Sequence, residues 1–184
     1  MALTKTPVCN FGEKAQNFYL LSTKKEKMSL KDITGEKGTL IMFICNHCPY
    51  VKAIIKDIVE DVKYLEQLGI KSAAIMSNDT KNYPEDSFEN MISFSKLHSF
   101  SFPYLIDETQ EVAKKYNAVC TPDFFGYDKN LELQYRGRIR ELKNLKPIRK
   151  GDSDLKIAMQ IIAKTGKGPI NQISSMGCNI KWYK

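Results

Sequence analysis

The sequence predicts an α/β domain with a mixed central sheet and helices on both faces, an N-terminal extension and a C-terminal tail. Two patterns carry this reading. Apolar periodicity switches along the chain in the order β-α-β-α-β-α-β-β-α, which is alternation followed by a hairpin and a last helix. Two of the strands, Gly38 to Ile44 and Ile70 to Met76, are continuous apolar runs, as expected for strands buried on both faces. The 184 residues suffice for one domain with a proper core, so residues 1–184 are read as a single domain with 168–184 as its tail.

Each element has a local reason. Ala15 to Leu21 reads as a short strand, and Lys24, Lys25 and Lys27 as a polar turn. Ser29 to Ile33 reads as one helical turn stopped at Gly35. After the first buried strand, Val51, Ile54, Ile55, Ile58, Val59, Val62, Leu65 and Leu68 recur at three- and four-residue spacing, an amphipathic helix ended by Gly69. Asp86 to Leu97 and Glu108 to Tyr116 are further helices, flanking an extended Phe102 to Ile106. Asp123 to Tyr127, the turn Asp128-Lys129-Asn130 and Leu131 to Tyr135 form a hairpin. Asp152 to Lys164 is the last helix.

Composition excludes several classes. Hydrophobic residues make up 42% and charged residues 27%, which excludes a disordered chain, a fibre and a disulfide-stapled mini-protein. No apolar run reaches membrane-spanning length, so no membrane association is expected. The N-terminus lacks a basic-then-apolar leader pattern, which predicts a cytoplasmic protein. In a reducing compartment structural disulfides are rare, so the five cysteines need another explanation. The net charge of +7 is concentrated: residues 136–150 hold seven basic residues, including all four arginines, and one acid. This segment reads first as a surface loop, second as a docking site for an acidic partner, and third as a nucleic-acid contact, disfavoured because aromatics for base stacking are lacking.

The chemistry concentrates at Cys45-Asn46-His47-Cys48-Pro49, where a buried strand gives way to a helix. Two intervening residues on a first helical turn bring two sulfurs within disulfide range. A cysteine at the helix N-terminus is stabilised as thiolate by free amides and the helix dipole. The sequence therefore assigns Cys45 as the attacking thiol, Cys48, deeper in the helix, as the resolving thiol, and His47 as the group that tunes the thiolate toward a more oxidising pair. A zinc knuckle is the competing reading, with Cys9, Cys120, Cys178, His47 or His98 as further ligands, but no second C-x-x-C or H-x-x-x-H supports it. His98 and Cys9 read as ordinary packed or surface residues. Cys120, two positions before Pro122, and Cys178, in the tail, are candidate accessory residues, with packing the simpler reading for each.

A buried strand, a C-x-x-C at a helix and a later Thr121-Pro122 before a hairpin resemble a thioredoxin-fold protein. Phe11 to Phe18 resembles the opening of the alkyl hydroperoxide reductase/thiol-specific antioxidant family. Phe43 to Val51, Phe102 to Glu108, Cys120 to Phe125, Tyr135 to Ile139 and Met176 to Trp182 are similar to a peroxiredoxin-like branch of that superfamily. The resemblance runs from about Phe11 to the C-terminus. It implies a thioredoxin-like fold, a cis Pro122, and an extended substrate pairing with the backbone of Thr121, so that Thr121, Pro122 and Pro49 are the expected substrate-binding residues. Two departures bear on activity. Peroxiredoxins carry Thr or Ser three residues before the peroxidatic cysteine, whereas Met42 lies three before Cys45 and Cys45 three before Cys48. The peroxide-activating arginine is missing near Pro122, which leaves Arg136 and Arg138 as candidate substitutes.

The leading expectation is thus a thiol–disulfide oxidoreductase exchanging a Cys45–Cys48 disulfide with protein or small-molecule thiols. No metal or organic cofactor is expected, and the reductant would be a thioredoxin or glutathione system. The alternatives are a thiol peroxidase, in which a sulfenic acid on Cys45 condenses with Cys48, and a thioredoxin-fold binding module without redox turnover.

Overall fold

A computed structural model describes residues 3–184. The strands are β1 (Leu3–Lys5), β2 (Tyr19–Ser22), β3 (Lys27–Ser29), β4 (Gly38–Phe43), β5 (Ile70–Met76), β6 (Tyr104–Ile106), β7 (Cys120–Thr121), β8 (Asp123–Asp128), β9 (Leu133–Arg136), β10 (Leu142–Lys143), β11 (Lys146–Pro147) and β12 (Met176–Asn179). The helices are α1 (Pro49–Gln67), α2 (Phe88–Leu97), α3 (Glu111–Lys115) and α4 (Asp154–Thr165). Seven strands form the main sheet in the order β3-β2-β6-β5-β4-β8-β9. β4 lies parallel to β5 and antiparallel to β8, so the sheet is mixed as the sequence predicts.

β4 explains its own apolar run. Leu40, Met42 and Ile44 fall into a core with α1, α2 and α4, whereas Ile41 and Phe43 fall into a second core with α3, Phe18, Tyr116 and Phe125. Successive side chains point to opposite faces of a strand, so a strand covered on both sides must be apolar throughout. On α1 the predicted stripe is the buried one, with Val51, Ile54, Ile55, Ile58, Val62 and Leu65 inside. The helix ends at Gly69, which takes a positive φ of 81°.

Several boundaries differ from the sequence reading. The first predicted strand, Ala15 to Leu21, shrinks to Tyr19–Ser22, because residues 11–17 run largely exposed along the sheet and Lys14 makes a single bridge to Glu132. Asp86 does not open α2. It ends a separate short turn, Pro84–Asp86, and Ser87 caps α2 by accepting the Asn90 N–H.

The tail departs most from a simple extension. β12 pairs antiparallel with β7 on one edge and with β1 on the other, forming a second, three-stranded sheet. Ser175 donates its hydroxyl to the Pro122 carbonyl, and the Lys181 N–H bonds Asn78. The tail is therefore built into the fold beside the cysteines. The arginine-rich segment is split: Arg136 ends β9 and is buried, whereas the part from Glu141 onward forms the largely exposed β10–β11 hairpin and the run into α4. Its guanidinium groups are paired internally: Arg136 with Asp123, Arg138 with Asp154 and Glu141, Arg140 with Asp57, and Arg149 with Asp154.

Candidate active site

The loop 45–48 hangs between β4 and α1, and Pro49 fixes where the helix starts. Proline suits the first helical position because its missing N–H has no partner to lose there. Pro49 is that residue and sits half-buried, so the N-cap is Cys48. This corrects the sequence assignment: Cys48, not Cys45, is the cysteine at the helix N-terminus, and Cys45 lies three residues upstream at the end of the strand.

The surroundings of the two sulfurs follow from that shift. Cys48 is 0% and Cys45 1% exposed. The Cys48 thiol is held below its ordinary pKa. Hydrogen bonds from the Cys45 thiol, the Val51 N–H and the Cys178 thiol outweigh the penalty of burial. The Thr121 carbonyl, 3.2 Å from Cys48 Sγ, acts the other way, accepting a hydrogen bond only from the protonated thiol. With the Cys178 N–H, four donors and a helix N-terminus against one carbonyl leave the thiolate favoured. Cys45 is pushed up by its bond to Cys48, by burial and by the nearby Asp86 carboxylate. Its Sγ lies 3.3 Å from Thr121 Oγ1.

His47 does not serve Cys45 as the sequence suggests. Its Nδ1 lies 2.6 Å from Asp86 Oδ2 and 4.0 Å from Cys45 Sγ, so Asp86 takes the hydrogen bond. The ring stacks on Tyr83. Asp86 Oδ1 also accepts from the backbone N–H groups of Asn46 and His47, and Asn78 donates to Oδ2. One buried carboxylate thus fixes the cysteine loop, and it is the functional residue that sequence reasoning missed. Cys45, His47 and Asp86 bring a thiol, an imidazole and a carboxylate within 4.8 Å of one another, a donor set that suits a thiophilic divalent cation. Here the imidazole and carboxylate are engaged with each other.

The hydrogen bond to Asp86 raises the His47 pKa above its ordinary 6.5, against burial, which lowers it. His98, packed on Phe94 and Phe100, is lowered by burial and then by Lys56. The chain has two histidines, so NMR titration is expected to show one imidazole above and one below 6.5. Asp86→Asn should bring the upper one down. In folding terms the His47 contribution is fully present below about 6.5, the unfolded value. It is lost as pH rises through the higher folded pKa.

The structure brings Thr121 and Pro122 to the thiols, and the Thr121–Pro122 bond is cis as the resemblance implies. Yet the Thr121 edge is not open for a substrate strand. Cys178 is its partner in the sheet, because the tail folds back as β12. Cys178 Sγ lies 3.2 Å from Cys48 Sγ, so the packing reading of that residue gives way to a third thiol at the site. Cys120 is fully buried with its thiol on the Pro122 carbonyl, and burial pushes its pKa strongly up. Arg136 is buried, donates to Asp123 and to the Asn117 carbonyl, and lies over Phe125. Arg138 is held by Asp154 and Glu141. Among the described residues no arginine hydrogen-bonds Cys45, Cys48 or Cys178, which corrects the reading of Arg136 and Arg138 as substitutes beside the thiols. Arg138 does line a cleft of about 700 Å³ that includes Pro122, Tyr50, Arg140 and Met176. No helix among the described residues is long and apolar enough to cross a membrane.

Comparison with known proteins agrees with this geometry. A conserved protein of uncharacterised function from Geobacillus kaustophilus is 37% identical, covers 100% of this chain and 97% of its own, and superposes with a TM-score of 0.94. A hypothetical protein from Sinorhizobium meliloti 1021 is 33% identical over 98% of each chain, with a TM-score of 0.90. A putative protein disulfide isomerase from Bacteroides thetaiotaomicron shares the fold at 15% identity, with a TM-score of 0.66 over 90% of this chain and 96% of its own. No functionally curated protein matches significantly. The fold is thioredoxin-like, and the AhpC/TSA family model matches residues 11–141. On that match the chain belongs to the AhpC/TSA family.

Proposed function

We propose that the protein is a thiol–disulfide oxidoreductase in which Cys48 is the attacking thiol and Cys45 the resolving one. The observation that carries this reading is the position of Cys48 Sγ at the N-terminus of α1, beside Pro122 and in hydrogen-bond contact with a second thiol. The Cys48 thiolate attacks one sulfur of a substrate disulfide. That S–S bond breaks, a mixed disulfide forms on Cys48, and the released thiolate takes up a proton. Cys45, after losing its proton, attacks Cys48 Sγ, forms the Cys45–Cys48 disulfide and releases the second substrate thiol. An external dithiol or two molecules of a monothiol then reduce the pair. His47 and Asp86 hold the loop so that the two sulfurs face each other.

Peroxide reduction is the second reading, favoured by the family match. A peroxide-cleaving thiolate is helped by a guanidinium or hydroxyl that stabilises the leaving oxygen. Here the arginines at this end of the molecule are engaged with carboxylates, which favours exchange. Stopped-flow reaction of the reduced protein with glutathione disulfide and, separately, with hydrogen peroxide decides between them. The expected result is rapid reaction with the disulfide, with a pH midpoint below the ~8.5 of a free thiol, and peroxide reactivity at the level of an ordinary thiolate. A peroxide rate orders of magnitude above that level would overturn the assignment in favour of a peroxidase.

A further inference from the structure

The strand β12 lies where a bound substrate would lie. Its backbone pairs with the Cys120–Thr121 edge, its other edge is held by β1, and its register sets Cys178 opposite Thr121. Gly177 makes the approach feasible. A Cβ built on it would fall 2.0 Å from the Thr121 oxygen and 3.0 Å from Pro122 Cδ, so only a residue without a side chain lets the strand press against this edge. The sulfur that results stands 3.2 Å from Cys48 Sγ. A disulfide needs about 2.0 Å, a gap that small side-chain rotations close. Cys178 is 4% exposed, so its neighbour is Cys48 rather than solvent.

We infer that β12 is an internal substrate strand and Cys178 a third redox thiol, which exchanges with Cys45 for a disulfide to Cys48. This rests on the reading of Cys48 as the attacking thiol. Once Cys48 carries a mixed disulfide, Cys178 attacks Cys48 Sγ, forms Cys48–Cys178 and releases the substrate thiol. Cys45 then attacks Cys48 Sγ, the Cys48–Cys178 bond breaks, Cys45–Cys48 forms, and Cys178 takes up the proton that Cys45 gave up. The exchange consumes no further oxidant, since the bound disulfide only changes partner. Cys45 and Cys178 flank one sulfur, so the oxidised protein is a mixture of two isomers. The two-electron oxidation is stored either at the cysteine loop or across to the tail.

The test equilibrates the full chain in glutathione redox buffers, quenches with acid, alkylates and maps tryptic peptides. Cys45 and Cys48 share the peptide 38–52, whereas Cys178 lies on 168–181. Wild type is expected to give both the internally oxidised 38–52 peptide and the cross-link of 38–52 to 168–181. Cys45→Ser and Cys45→Ala should give only the cross-link, and Cys178→Ser only the internal disulfide. Gly177→Val, which forces β12 off the Thr121 edge with all five cysteines kept, should cut the cross-link at least about tenfold and leave the internal disulfide. Cys48 glutathionylated without cross-link in both Cys45 variants, while Cys178→Ser forms its internal disulfide normally, would overturn the inference and leave the exchange reading standing. Failure of Cys178→Ser to form the internal disulfide as well would bring down both.

Discussion

Cys48→Ser is expected to lower the rate of exchange with glutathione disulfide by at least about a thousandfold, since an alcohol cannot supply the thiolate nucleophile. Cys45→Ser should be far milder in the first step. It leaves the sulfur at the helix N-terminus in place, exchanges the Cys45 thiol for a hydroxyl that still donates, and keeps the donors from Val51 and Cys178. The distinction is sharp because the order of the two cysteines along the chain suggests the opposite. Single-turnover kinetics of the two variants measures it: a burst of released glutathione, a first from attack by Cys48 and a second from resolution by Cys178, persists in Cys45→Ser and vanishes in Cys48→Ser. If Cys45→Ser abolishes the burst and Cys48→Ser keeps it, the roles are those the sequence alone assigns.

Replacing Arg136 has the largest expected effect on stability. Its guanidinium reaches Asp123 from Nη2 at 2.9 Å and from Nε at 3.4 Å, donates to the Asn117 carbonyl at 2.7 Å, and covers the ring of Phe125 at 4.4 Å. Asp123 is 0% exposed. Arg136→Met leaves a buried carboxylate without its counter-charge, which costs about 3–5 kcal/mol. Burial already holds the Asp123 pKa up at about 6 with Arg136 present, and its loss raises it further. A folded-state pKa above the unfolded one means that the folded protein binds the extra proton. The deficit of the variant relative to wild type is therefore expected to shrink as pH falls from 7 toward about 6 and to level off below that, where Asp123 is protonated in both folded proteins. Urea midpoints at pH 7 and pH 5 measure this, and Asp123→Asn with Arg136→Met should recover part of the loss. An unchanged midpoint at pH 7 would show that the pair contributes nothing.

The sequence makes legible what local periodicity and covalent chemistry dictate. The run from Gly38 betrays a strand covered on both faces, the stripe from Val51 to Leu65 a helix, and Asp128 to Asn130 a hairpin. It also locates the cysteines at the strand-to-helix junction. The assignment of Cys45 to the helix N-terminus fails by three residues. The correcting signal was present in Pro49, whose preference for the first helical position makes the residue before it the cap. Asp86 and β12 are different. Asp86 reaches its loop across 39 residues and Cys178 reaches Cys48 across 130, and neither contact has a local pattern. Likewise, four arginines clustered in sequence leave a docking site for an acidic partner open, yet each finds an internal carboxylate that only the folded chain brings near.

The separation between Cys48 and Cys178 also gives the site a history in time. At about 5–20 residues per second, a ribosome adds the 130 residues between them in roughly 7–26 s. In the last part of that interval, once Thr121 has been added, a nascent chain carries Cys45, Cys48 and the Thr121 edge without its strand. Closure waits for contacts between residues 3–5, 120–121 and 176–179, among the most distant in the chain. Synthesis therefore passes through a stage in which the pair of thiols exists and its built-in occupant does not.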